Sequence, residues 1–169
     1  MAQSISKSPH IAILRSPGKK EFQVWKGMAI LSQQLPHLQQ DGYIFHPFSR
    51  TVDFPVCFID EKPKKHSSLG GISIDIDSPV LPEDSNESLY LYQIISIKET
   101  IQSGTLDKAI AWRRIGTQSS ADAIQMLEAL ADAYPNAAVH LYYGAEIGCF
   151  IGASPETFLK VKAGKAKTM

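Results

Sequence analysis

The chain begins with short apolar runs separated by turn-forming clusters. Residues 11–14 and 22–25 are β-rich, and Ser16-Pro17-Gly18-Lys19-Lys20 lies between them, which predicts a hairpin. Residues 1–10 are polar and read as frayed. Gly27 and Pro36 argue against one long helix over residues 25–40, so a loop or short helix is expected there. Residues 43–48 and 54–59 read as strands.

The pattern changes at residue 60. Residues 60–88 are rich in Lys, Ser, Asp, Glu and Pro and contain Gly70-Gly71, the composition of a flexible internal loop. Its basic run, Lys62-Pro63-Lys64-Lys65-His66, is short and reads as solvated. Asp75-x-Asp77 lacks the glycine and closing glutamate of a calcium loop and reads as a solvated turn.

Helical periodicity follows. Ser88 can cap a helix to about residue 103, with Tyr92, Ile95 and Glu99 on one stripe, Ile94, Ile97 and Ile101 beside it, and Gly104 ending it. Residues 106–115 read as a strand. Ser119 or Ser120 can cap a second helix, with Asp122 placed to complete a capping box on Ser119. Its core stripe is Ile124, Leu127, Ala131 and Tyr134, widened by Met126 and Leu130, and Pro135 stops it. Residues 137–143, 148–152 and 157–161 then read as strands, with a hairpin turn at Ala163-Gly164-Lys165 and a last strand from about residue 166. Antiparallel succession with inserted helices makes the expected fold α+β rather than a doubly wound parallel sheet.

Composition narrows the class. The 169 residues are 44% hydrophobic and 20% charged, enough for one domain with a sizeable core. Seventeen basic residues balance seventeen acidic ones, which speaks against a nucleic-acid surface or an anionic membrane as partner. Cys57 and Cys149 lie far apart and read as reduced, buried thiols of a cytosolic protein. The first residues lack the apolar run of a signal peptide, and no stretch is long enough to span a membrane, so the expected location is cytoplasmic. The five histidines show no metal-ligand spacing.

The candidate chemistry sits late in the chain. Gly152-Ala153-Ser154-Pro155 is a small-residue break between two β-rich runs, and Glu156 follows the fixed φ of Pro155. Small residues ahead of the carboxylate leave room for a close approach. On its own the stretch also fits a solvated glutamate at the start of a strand. Upstream, Lys108 sits among Leu106, Ala109 and Ile110, which fits a desolvated lysine and equally an edge strand with one exposed lysine.

In order and spacing, Lys108 to Arg113, Tyr134-Pro135, Gly152-Ala153-Ser154-Pro155-Glu156 and Thr168-Met169 resemble the chorismate-utilising enzymes. These are the isochorismate, salicylate, anthranilate and aminodeoxychorismate synthases, and the resemblance covers about residues 88–169. It implies antiparallel sheets packed with outer helices, and it makes residues 1–169 the N-terminal portion of a single chorismate-binding domain whose C-terminal half is absent. Chorismate is the implied small-molecule substrate. Mg²⁺ is the implied cofactor, with its glutamate ligands beyond residue 169. By residue match, Lys108 is the implied general base that activates water and Glu156 the implied general acid.

A lysine in the base position favours water as nucleophile over an amine, which points to isochorismate synthase, an isomerase of menaquinone or siderophore biosynthesis. The fragment alone is expected to be inactive. Salicylate synthase, another chorismate-converting enzyme, or a non-catalytic binding half-domain are the alternatives. Ala109, Ala111 and Trp112 depart from the family's usual residues, Trp112 most of all.

Overall fold

The structure is a computed structural model that describes residues 4–34, 41–47, 55–74, 76, 86–117, 119, 121–155 and 159–168. It divides into two compact units, one of residues 1–77 and 121–169 and the other of residues 78–120.

The first unit is built on the hairpin expected from the sequence. Strand β1 (Ser4–Arg15) pairs antiparallel with β2 (Phe22–Ser32), and both are far longer than their apolar runs suggest. Residues 4–10 are strand rather than frayed, and residues 25–32 are strand rather than loop or helix. Tertiary bonds account for this. The register shifts between Ile5 and Pro9, and there the Ala29 N–H donates to Ser6 Oγ at 2.9 Å, so a side chain replaces the missing ladder bond. Gly27, a helix breaker in the sequence, serves packing here. A Cβ on it would stand 2.9 Å from Glu61 Cγ.

Strands β3 (Tyr43–Phe45), β4 (Val56–Ile59), β5 (Lys64–His66), β6 (Ala138–Gly144) and β7 (Gly148–Ser154) complete a sheet ordered β3-β4-β2-β1-β6-β7, with β5 also pairing to β2. Every pairing is antiparallel. Phe45 and Phe150 belong to the two end strands, yet their rings are 5.0 Å apart. The sheet therefore curls until its ends meet, as twist allows when strands coil around a common axis.

The curl separates two cores. Inside lie Ala12, Trp25, Ala29, Cys57, Ile59 and Tyr142. Outside, Ile11, Ile13, Val24, Val139 and Leu141 pack against a helix, with Ile124, Leu127 and Ala131 as its buried stripe. This helix runs Ala123–Ala133, and its cap differs from the one expected. Asp122 is itself the N-cap, accepting from Gln125 N–H at 2.7 Å while Gln125 Oε1 accepts from Asp122 N–H at 3.3 Å. Buried Arg15 holds the other end, donating to the carbonyls of Ala131 and Tyr134 at 2.6 Å each.

The loop expected at residues 60–88 is partly structured. It contains β5, Leu69 is fully buried, and Ile72, Ile74 and Ile76 pack on the outer core. Asp75 and Asp77 lie outside the described residues. A separate hairpin joins β8 (Leu159–Lys162) to β9 (Lys165–Thr168), with Ala163 and Gly164 at φ 49° and 73°. Both cysteines are free thiols, Cys57 buried as expected and Cys149 only half-buried.

The second unit holds the other helix, numbered α1 for its place in the chain (Glu87–Gln102); the helix of the first unit is α2. Asn86, not Ser88, caps α1, its Oδ1 accepting from Leu89 N–H at 3.1 Å. Gly104 adopts the left-handed φ of +76° after its end. Residues 106–115 are not a strand, because among the described residues their backbone has no ladder partner. Among the described residues, two helices and an antiparallel, curled sheet make the fold α+β.

Candidate functional site

Lys108 lies in the second unit, exposed, in the irregular stretch after α1. That stretch turns back along the helix. The Arg113 guanidinium carbon sits 5.5 Å from the centre of the Tyr90 ring, a cation–π contact between the two segments. Between them lies a cleft of about 570 Å³ walled by Tyr90, Gln93 and Ile97 on the helix and Ile110, Trp112 and Arg114 opposite. Lys108 stands two residues before Ile110, at the start of this wall. Its neighbours are apolar but not covered. Ile110 is 79% and Trp112 73% exposed, and no residue of α1 is buried. Of the helix stripe read from the sequence, Ile94 and Ile97 are half-buried, whereas Tyr92, Ile95 and Ile101 are exposed.

Glu156 lies outside the described residues. The structure describes the approach to it: β6 and β7 form a hairpin in which His140 pairs with Gly152 and Ala138 with Ser154, after which Pro155 is exposed. The glycine has a definite steric task. A Cβ on Gly152 would come 2.9 Å from His140 Cε1 and 3.0 Å from Nε2, so only glycine lets the imidazole cross this strand. Burial pushes the His140 imidazole below its ordinary pKa and favours the neutral ring. Gly152, four residues before Glu156, is thus fitted against a histidine that sequence reasoning passed over. Its only trace in the sequence is a polar residue within the alternation of Val139 and Leu141.

A second polar group in the same sheet was also missed. Fully buried His10 faces Tyr142 Oη from Nδ1 at 2.5 Å and Glu146 Oε2 from Nε2 at 3.0 Å. A carboxylate only accepts, so Nε2 carries the proton, and in the neutral ring Nδ1 accepts from the Tyr142 hydroxyl. Partial burial raises the Glu146 pKa, but bonds from Lys7 N–H, its own N–H and His10 outweigh this and hold it below the ordinary carboxylate value. The Tyr142 phenol is pushed strongly up, by burial first. Tyr142 also stacks on Phe45 at 4.2 Å. With Tyr142 sealed from solvent, this group serves to fix the inside of the curl. Separations of 132 and 136 positions left no local signal of it.

Among the described residues no three His, Cys, Asp or Glu side chains gather as a metal site. The described residues do not make a magnesium site. No helix among the described residues is long and apolar enough to cross a membrane.

The family model for chorismate binding enzyme matches residues 73–169. No curated protein and no solved structure matches the chain.

Proposed function

The chain belongs to the chorismate binding enzyme family, and from that premise we propose that it contributes to an isochorismate synthase-like enzyme. Family membership implies chorismate as the small-molecule substrate. The identity of residue 108 carries the finer reading. In the proposed reaction Lys108 takes a proton from water as its oxygen bonds to C2 of chorismate. Glu156 gives a proton to the C4 hydroxyl, which leaves as water while the ring double bonds shift between. A lysine at the base position suits water as nucleophile, where an amine-adding relative needs no such base.

A lysine works as a base near neutral pH only when burial or a neighbouring cation lowers its pKa. Lys108 is exposed in the second unit, so the proposal requires a cover from chain beyond that unit. The bare apolar residues around Lys108 support that reading. Leu106, Ile110, Trp112 and Ile115 are all exposed, as expected of an element that packs against further chain. On this view residues 1–169 are the N-terminal portion of one chorismate-binding domain.

The test is an assay of isochorismate formation from chorismate and Mg²⁺. The 169-residue chain should be inactive, and the same sequence continued through its natural C-terminal part should be active. Turnover by the short chain would mean that the site is complete without a cover, and the proposal would fall. A salicylate product from the extended protein would keep the nucleophile but replace the proposed activity.

A further inference from the structure

The lysines of the basic run are exposed, as the sequence suggests, but the run has two distinct faces. Strand β5 splits it by the alternation of a strand. Lys65 is opposite Gln23 and pairs with Glu21 at 3.6 Å, while Lys64 and His66 are opposite Val24 and Phe22 on the other face. On that face lies a cleft of about 450 Å³. Its floor is the edge of the outer core: Ile11 and Val24, both buried, and half-buried Ile72. Its rim carries Lys26, Lys62, Lys64 and His66, with Glu61 as the single carboxylate.

The register concentrates this charge. Val24 is opposite Lys64, and Lys26 and Lys62 follow two residues further along the same two segments and line the same cleft. Like charges across neighbouring strands repel and cost stability. Among the described residues Lys26, Lys62 and Lys64 have no ion pair, whereas Lys65 has one. An arrangement of three cations over an apolar floor is poorly balanced when empty and well balanced when an anion with an apolar body fills it.

We propose that this cleft binds a small organic anion, an acidic head group on a compact ring. The head group is held by Lys26, Lys62 and Lys64, and the ring lies on Ile11, Val24 and Ile72. All of its lining except Ser73 precedes the region matched by the family. The inference therefore stands independently of the reading of Lys108.

Titration of the 169-residue chain with benzoate, phenyl phosphate, benzamide and inorganic phosphate tests it, read by the methyl resonances of Ile11, Val24 and Ile72. Benzoate and phenyl phosphate should saturate, with Kd values on the order of 1 mM or below, and benzamide and inorganic phosphate should bind at least about tenfold more weakly. Lys64→Gln should weaken benzoate binding about tenfold, while Lys65→Gln, on the opposite face, should leave it unchanged. Both sites are exposed, and an unaltered amide spectrum confirms that each variant folds. Equal binding of benzamide would remove the charge from the argument, and equal binding of inorganic phosphate would remove the ring. Equal loss in the two lysine variants, or no saturation by any probe at about 10 mM, would overturn the site.

Discussion

His10 Nε2 stands 3.0 Å from Glu146 Oε2, and Glu146 Oε1 in turn accepts the Lys7 N–H at 2.7 Å. One carboxylate in the turn after β6 thereby ties down two points of the first strand. The same histidine holds Tyr142, on which the aromatic stack inside the curl is built.

Removing either partner should cost more than their contact is worth. Glu146→Gln and His10→Ala should each destabilise the chain by about 1–3 kcal/mol, since each leaves a buried polar group short of a bond. The double variant should lose less than the sum of the two. Urea unfolding of the four proteins measures this coupling, and additive losses would show that the pair acts independently.

Acid should weaken the fold in two stages. His140 has a folded pKa below its ordinary 6.5, so its contribution is complete above 6.5 and declines as pH falls through the folded value. Glu146 is depressed below 4.5, so its contribution is present above 4.5 and disappears at lower pH. Both groups bind protons more readily in the unfolded chain, so stability must fall on acidification. Melting temperatures from pH 8 to pH 3 check this. His140→Gln should flatten the upper stage, and Glu146→Gln the lower.

Gly152→Ala should be costly although the change is a single methyl group. The new Cβ would press on the His140 ring, at a cost of about 1–3 kcal/mol. His140→Ala in the same chain should recover most of the loss, because it removes the atoms that collide. A loss unchanged in the double variant would place the cause in the backbone.

In the extended protein, Lys108→Ala and Glu156→Gln should each lower kcat for isochorismate formation by about 10²–10⁴-fold, the usual worth of a positioned acid or base. KM for chorismate should change little, because neither residue is proposed as a main carboxylate anchor. Steady-state kinetics separates the two quantities. Full activity in the Lys108→Ala variant would remove the base from the mechanism.

A good deal was legible along the chain. The β1–β2 hairpin, the Ile124, Leu127 and Ala131 stripe and proline stop of α2, the β6–β7 strands and the left-handed Gly104 all follow from contacts within a few residues, where spacing and backbone preference act directly, whereas Tyr134, expected on that stripe, is 53% exposed. The chorismate-utilising family was also visible as a linear pattern, and a family match over residues 73–169 agrees with it. Three features belong to tertiary structure alone. Residues 4–10 and 25–32 are strand because β1, β2 and β4 satisfy one another's backbone groups, against the local cues of a polar start and Gly27. His10, Tyr142 and Glu146 meet only because the sheet curls. Residues 106–115 have strand composition but no ladder among the described residues, since a strand needs a neighbour that no local sequence can supply.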